Sequence, residues 1–289
     1  MPSANPMLVL GMVLVSFGML FKVAAVPFHV WTPDAYEGAP PPVTAFISVA
    51  PKAAAFAMFM RLVFDAFAPG VEHWRIVLWL ASAATMIYGN IAALTQDNVK
   101  RMLAYSSIAH AGYALMGLVA FNVMGAWSLL MYMLVYAFMN LGAFGFVILL
   151  ESKGYAGEMI GDYAGLARRH PAAALGMLVF MLALAGIPPT AGFMGKLYLF
   201  AAAVEGGYVL LTVIAVIMSA VSLYYYFRIV VQMYLQDGEE EGAEPASLLR
   251  DRWTEVMIAV CLVLTMVIGV WPAPVVGWAK NAAGALGMM

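Results

Sequence analysis

The sequence predicts an all-α polytopic membrane protein with about eight transmembrane helices, two of them discontinuous. Three observations predict it. Of 289 residues, 64% are hydrophobic and 10% charged, with a mean hydropathy of +0.89. A soluble domain so composed would lack the polar side chains to cover its surface. Eight apolar stretches match a hydrocarbon core about 30 Å thick, which takes about 20 helical residues to cross. Their Ala, Leu, Val and Met texture lacks the alternation of an outer-membrane barrel.

In chain order the stretches are 7–27, 42–64, 74–94, 102–121, 124–150, 172–204, 207–235 and 254–271. The longest polar connections, 151–171 and 236–253, are too short for a soluble domain. Residues 1–289 therefore read as a single transmembrane domain, with 236–253 as an acidic cytoplasmic loop. Met1 to Pro6 carry no positive charge, which argues against a cleavable signal peptide. A net charge of −2 offers no basic face for nucleic acid. The one cysteine, Cys261, excludes a disulfide framework or a cysteine-based metal centre. No P-loop, HExxH or Rossmann fingerprint is present, so neither nucleotide binding nor redox chemistry is expected of this chain.

An even number of spans puts both termini on one side. One set of loops carries Lys100, Arg101, Lys153, Arg168, Arg169, Arg250 and Arg252, with Arg228 near that end of its helix. The other side has Arg61, Arg75 and Lys280. The bias places the richer loops in the cytoplasm and both termini outside.

Three basic residues remain, Lys22, Lys52 and Lys196, all inside apolar stretches. Lys52 lies mid-stretch, about 15 Å from either interface, and a lysine reaches only about 6 Å by snorkelling. An ammonium at that depth costs about 2.5–3.5 kcal/mol even on insertion scales. The residue type adds to the point. Arginine stays protonated under any reachable condition, whereas a buried lysine can release its proton near neutral pH. Every arginine lies outside or near a helix end, while half of the six lysines lie at depth. That is the pattern of a proton relay. His110, eight residues into its stretch, joins it as a candidate, with Ser106, Ser107 and Tyr113 nearby to hold water. A packing role for a lone helical histidine is the alternative. His29 follows Pro27 at the end of the first stretch.

The stretch 172–204 has 33 residues, about 50 Å as continuous helix, and so overshoots the membrane. Gly186-Ile187-Pro188-Pro189-Thr190 lies near its middle, where proline removes a backbone bond. An interrupted helix with exposed backbone dipoles beside Lys196 is expected. The first stretch pairs Lys22 with Pro27 in the same way. Such backbone at membrane depth is tolerated where it lines protein or water, and it marks ion sites in transporters. Lysine precedes proline in one case and follows it in the other, as an inverted repeat would have it. The carboxylates fall in loops or at helix ends, so the deep lysines lack a counter-charge within the chain.

Read in order, three segments carry a family resemblance. They are Phe21 to Pro40, which contains Trp31-Thr32-Pro33-Asp34-Ala35-Tyr36-Glu37-Gly38-Ala39-Pro40, then Asn98 to Tyr113, and Gly186 to Tyr198. Together they resemble the antiporter-like membrane subunits of respiratory complex I, the bacterial NADH:quinone oxidoreductase. The first is similar to the N (subunit 2) branch rather than to L or M, and Lys196, a glutamate in M, agrees. The resemblance implies that Lys22, Lys52, Lys196 and His110 relay protons, with His29, Pro27, Pro188 and Tyr113 in supporting roles. It implies no cofactor in this chain, with NADH, FMN, iron–sulfur clusters and quinone held by partner subunits. Implied partners are the M subunit and small K-, J- and A-type subunits in a bacterial inner membrane. Family members have fourteen helices, and these eight resemble the last eight. The six without a counterpart include the helix whose glutamate pairs with the lysine at the Lys22 position. A subunit of a multisubunit Na+(K+)/H+ antiporter is the alternative on the same scaffold, and a non-conducting assembly element is another.

Overall fold

The computed structural model describes residues 6–150, 157–237, 251–285 and 287. Twelve helices are described: α1 Pro6–Lys22, α2 Trp31–Gly38, α3 Pro41–Arg61, α4 Val71–Leu94, α5 Val99–Ala120, α6 Val123–Leu150, α7 Leu166–Arg169, α8 Pro171–Ala185, α9 Ala191–Glu205, α10 Val209–Leu235, α11 Arg252–Val270 and α12 Ala273–Ala285. Among the described residues six helical segments are long and apolar enough to cross a membrane, while α1 and α8 are shorter apolar helices.

The termini of these helices follow from local chemistry. Asn98 caps α5, its side chain accepting from the Arg101 amide at 3.0 Å. Proline stands at the N-terminal positions of α3 and α8, where its missing N–H is no loss. Pro51 lies inside α3 and deprives it of a backbone bond one residue before Lys52. The helix then runs into a π-helical turn, Leu62–Ala66.

α5 forms the axis of the bundle. All of its residues except Arg101 and Tyr105 are buried, against α4, α6, α9 and α2. Glycines let α4 approach closely. A Cβ at Gly89 would stand 2.7 Å from the Ala109 amide nitrogen, and one at Gly112 would stand 2.8 Å from that of Met86. α6 packs on α3, α9 and α11, while α2 and α9, which follow the two interruptions, both pack on α5.

Four features depart from the sequence reading. The first stretch ends as helix at Lys22 rather than at 27, because Ala24 takes a left-handed φ of 62° ahead of Pro27. The polar segment after it forms α2, read above as connection; Asp34 in its first turn favours it through the helix dipole. α12 follows the last span and was not foreseen, being too short at 13 residues to cross. Lys100, counted above with the loop residues, lies in the first turn of α5, is 3% exposed and pairs with Glu158 at 2.6 Å. Residues 238–250 of the acidic loop, and Lys153 of the earlier one, lie outside the described residues.

Candidate functional site

The interruption in 172–204 is built as its residues demand. A helix end leaves four carbonyls without partners. Gly186, left-handed at φ +86°, turns its amide back onto Leu182 and Ala183, and Ile187 also donates to Leu182. The last two carbonyls, Leu184 and Ala185, accept from the Lys196 ammonium at 3.0 and 2.9 Å. Lys196 thus completes the C-terminal cap of α8 from one turn into α9, with its charge at the negative end of the α8 dipole. Its third bond goes to the Ser219 hydroxyl on α10 at 2.9 Å, and the Tyr113 ring lies 4.9 Å away. Lys196 is 4% exposed.

Lys52 is 2% exposed. Its ammonium donates to the carbonyl oxygen of Ser107 at 2.9 Å and also to the Ser107 hydroxyl. That hydroxyl accepts from Tyr136 at 2.7 Å, and the Tyr36 hydroxyl is 3.4 Å from it. The Tyr36 ring centroid is 5.9 Å from the ammonium. One serine therefore collects a lysine from α3 and tyrosines from α2 and α6.

His110 lies on α5, three residues after Ser107. Its Nδ1 is 2.6 Å from the Tyr132 hydroxyl and its Nε2 is 3.2 Å from that of Tyr226, which also bonds Ser106. The Tyr136 and Tyr113 rings lie 5.1 and 5.8 Å from the imidazole. Tyr113 in turn accepts from Asn90 at 3.2 Å, and Asn90 accepts from Tyr225 at 3.0 Å. The result is a file of hydroxyl, imidazole and amine groups through the core, with neutral oxygens as the lysines' hydrogen-bond acceptors.

The remaining candidates sit elsewhere. Lys22 is the last residue of α1, exposed, with no ion pair among the described residues. His29 lies in the turn between α1 and α2, 4.5 Å from the Tyr88 ring, its Nδ1 buried without a partner among the described residues. The Val26–Pro27 and Pro188–Pro189 peptide bonds are both cis. Sequence reasoning missed Tyr36, Tyr132, Tyr136, Tyr226 and Ser219. The available signal was phenols within apolar helices, since a buried hydroxyl needs a partner.

At the end of the bundle where α5 begins, charges pair. Arg101 reaches Asp34 at 2.9 Å and Glu37 at 2.6 Å, and Arg228 pairs with Asp97.

Comparison with known proteins agrees with this architecture. NADH-quinone oxidoreductase subunit N of Trichlorobacter lovleyi is 48% identical over 286 residues, covering 97% of this chain and 57% of the relative. Subunit N 2 of Rhizobium meliloti is 52% identical over 242 residues, covering 84% and 50%. A chain of respiratory complex I from Thermus thermophilus with bound aureothin superposes with a TM-score of 0.81 at 36% identity, covering 96% of this chain and 60% of that one. The chain thus spans little more than half the length of the curated relatives it matches. Residues 1–222 match the family model described as NADH:quinone oxidoreductase/Mrp antiporter, transmembrane, and the chain belongs to that family.

Proposed function

We propose that this chain is a proton-conducting part of the membrane arm of a bacterial NADH:quinone oxidoreductase, in its N-subunit position. It would act as part of a translocase and carry no redox group itself. NADH, FMN, iron–sulfur clusters and quinone belong to partner subunits in this reading. The adjoining membrane neighbours are an antiporter-like M subunit and small K-, J- and A-type subunits. The chain reads as one transmembrane unit in the inner membrane with both termini outside.

The observation that carries the reading is the file from Lys52 through Ser107 and His110 to Lys196. Each lysine is deep and hydrogen-bonded to uncharged oxygens, with no carboxylate partner among the described residues. Such an amine holds its proton by local dipoles alone, so a change in a neighbouring charge shifts whether it keeps it. Loss of a proton at one lysine alters the potential at His110 and so at the other. Hydroxyls of Ser107, Tyr136, Tyr132 and Tyr226 supply donor and acceptor positions between them. Lys22, on the outside of α1, takes its carboxylate from outside the described residues.

The test is Lys52→Met in the assembled complex, with proton uptake per NADH oxidised measured in inverted membrane vesicles. Loss of uptake with assembly intact supports conduction through Lys52. Unchanged uptake overturns it.

A further inference from the structure

At the end of the bundle away from Lys100, Arg75 stands without an ion pair among the described residues. Arg75 is the second residue of the apolar span Trp74–Leu94, which puts it at the level of the membrane boundary. Its guanidinium lies 5.5 Å from the Phe121 ring and 5.8 Å from the Tyr208 ring. Its Nε is buried and has no hydrogen-bond partner among the described residues. A buried orphan donor on a charged group is costly and calls for an acceptor. Beside it opens a cavity of about 450 Å³ lined by Glu72, Arg75, Ile76, Trp79 and Tyr208. A second surface cavity, at Ala57 to Ala66, also contains an arginine, but there Arg61 pairs with Asp65 at 4.0 Å.

The lining specifies the occupant. Trp79 and Tyr208 are the aromatic residues of a membrane interface. Ile76 and Leu80, 57% and 56% exposed, continue from the cavity down the outer face of α4 toward the apolar zone. A free anion would make no use of that strip, whereas an acyl chain would. Glu72 is exposed on the rim, three residues before Arg75 and hence on the same helix face. A positive and a negative group side by side match a headgroup carrying phosphate and ammonium together.

We infer that the Arg75 cavity is a binding site for a phosphoethanolamine-type phospholipid. The guanidinium holds the phosphate, Glu72 accepts from the primary ammonium, and the tails lie along Ile76 and Leu80. Arginine suits the phosphate because its fork donates in parallel while its faces rest on the aromatic rings. This site is separate from the lysine file and does not depend on conduction.

The full chain in detergent, analysed by native mass spectrometry, tests it against phosphatidylethanolamine, phosphatidylglycerol and inorganic phosphate. The wild type should retain phosphatidylethanolamine in preference to phosphatidylglycerol, and phosphate should not displace it. Arg75→Met should lower retention about tenfold, equivalent to about 1.4 kcal/mol. Glu72→Gln, a change on the exposed rim that leaves the fold in place, should abolish the preference between the two lipids while retaining both. Retention unaltered in Arg75→Met, or an unaltered preference in Glu72→Gln, overturns the assignment. Displacement of the lipid by phosphate alone also overturns it, leaving a plain anion site.

Discussion

Lys52 and Ser107 meet across the boundary between α3 and α5, with the ammonium on both the carbonyl and the hydroxyl oxygen of the serine. The next residue back, Ser106, bonds Tyr226, which reaches His110. Two adjacent serines on one buried helix thus serve two different partners, a lysine and a tyrosine–imidazole pair. Ser107→Ala leaves Lys52 its backbone acceptor and removes the hydroxyl shared with Tyr136. Proton uptake per NADH should fall roughly tenfold, as expected for one lost hydrogen bond to a charged group. Lys52→Arg keeps the charge but cannot release it, and should lower uptake about 10²-fold or more, the range for a missing acid–base group. Uptake retained in Lys52→Arg would show that charge alone is what the position supplies.

The two tyrosines at Ser107 should rank by geometry. Tyr136 donates at 2.7 Å, whereas the Tyr36 hydroxyl is 3.4 Å away. Tyr136→Phe should therefore reduce proton uptake more than Tyr36→Phe in the same vesicles. Tyr36→Phe keeps its ring beneath Lys52 and should change stability by less than about 1 kcal/mol. The reverse order would place the conducting contact on α2.

Gly186→Ala meets two obstacles. A side chain at φ +86° is strained, and the new Cβ would stand 2.8 Å from Lys196 Cδ. The expected cost is about 1–3 kcal/mol, read as a lower midpoint of thermal unfolding in detergent. Lys196→Met strands the Leu184 carbonyl and leaves Ala185 only its bond from the Ser219 hydroxyl, at about 1–3 kcal/mol for a buried group left unsatisfied. Because both changes disturb one cap, the double variant should lose less than the two single losses combined.

Asp251 caps α11, accepting from the Trp253 and Thr254 amides at 3.3 and 3.2 Å and from the Thr254 hydroxyl. That hydroxyl, and then the amides, hold its carboxyl below the ordinary value of 3.8. A depressed folded-state pKa means the cap is fully in place above 3.8 and is lost as pH falls through the lower folded value. Amide NMR shifts of Trp253 and Thr254 should move in that acid range for the wild type and stay flat in Asp251→Asn. Equal movement in both proteins would assign the transition to another group.

The broken second element was legible because length alone forbade a continuous helix across 172–204. Depth made Lys52 and Lys196 stand out, since position within an apolar run is a one-dimensional quantity. What joins them was not legible. The Ser107 cluster draws on α2, α3, α5 and α6, and nothing in a single sequence states which phenol faces which hydroxyl. Ser106 and Ser107 stood out only as polar neighbours of His110, and their bonds to Tyr226 and Lys52 could not be read from sequence. α2 escaped notice because Trp31–Gly38 is polar and carries Pro33, so neither hydropathy nor propensity marks it. Lys100 misled for a different reason. Membrane charge counting treats any basic residue beside a span as solvated, and here a carboxylate from the following polar connection, Glu158, covers it.

The near-complete enclosure of α5 has a consequence for biogenesis. This helix carries Lys100, Arg101 and His110, two serines and two tyrosines, and shows almost no surface to its surroundings. It is poorly suited to partition into hydrocarbon alone. Insertion is therefore expected to proceed as a hairpin with α4, whose glycine contact at Gly89 and Gly112 forms between chain neighbours. Maturation of the protein would then depend on α6, α9 and α10 arriving afterwards to wall off the polar side chains of this helix from lipid.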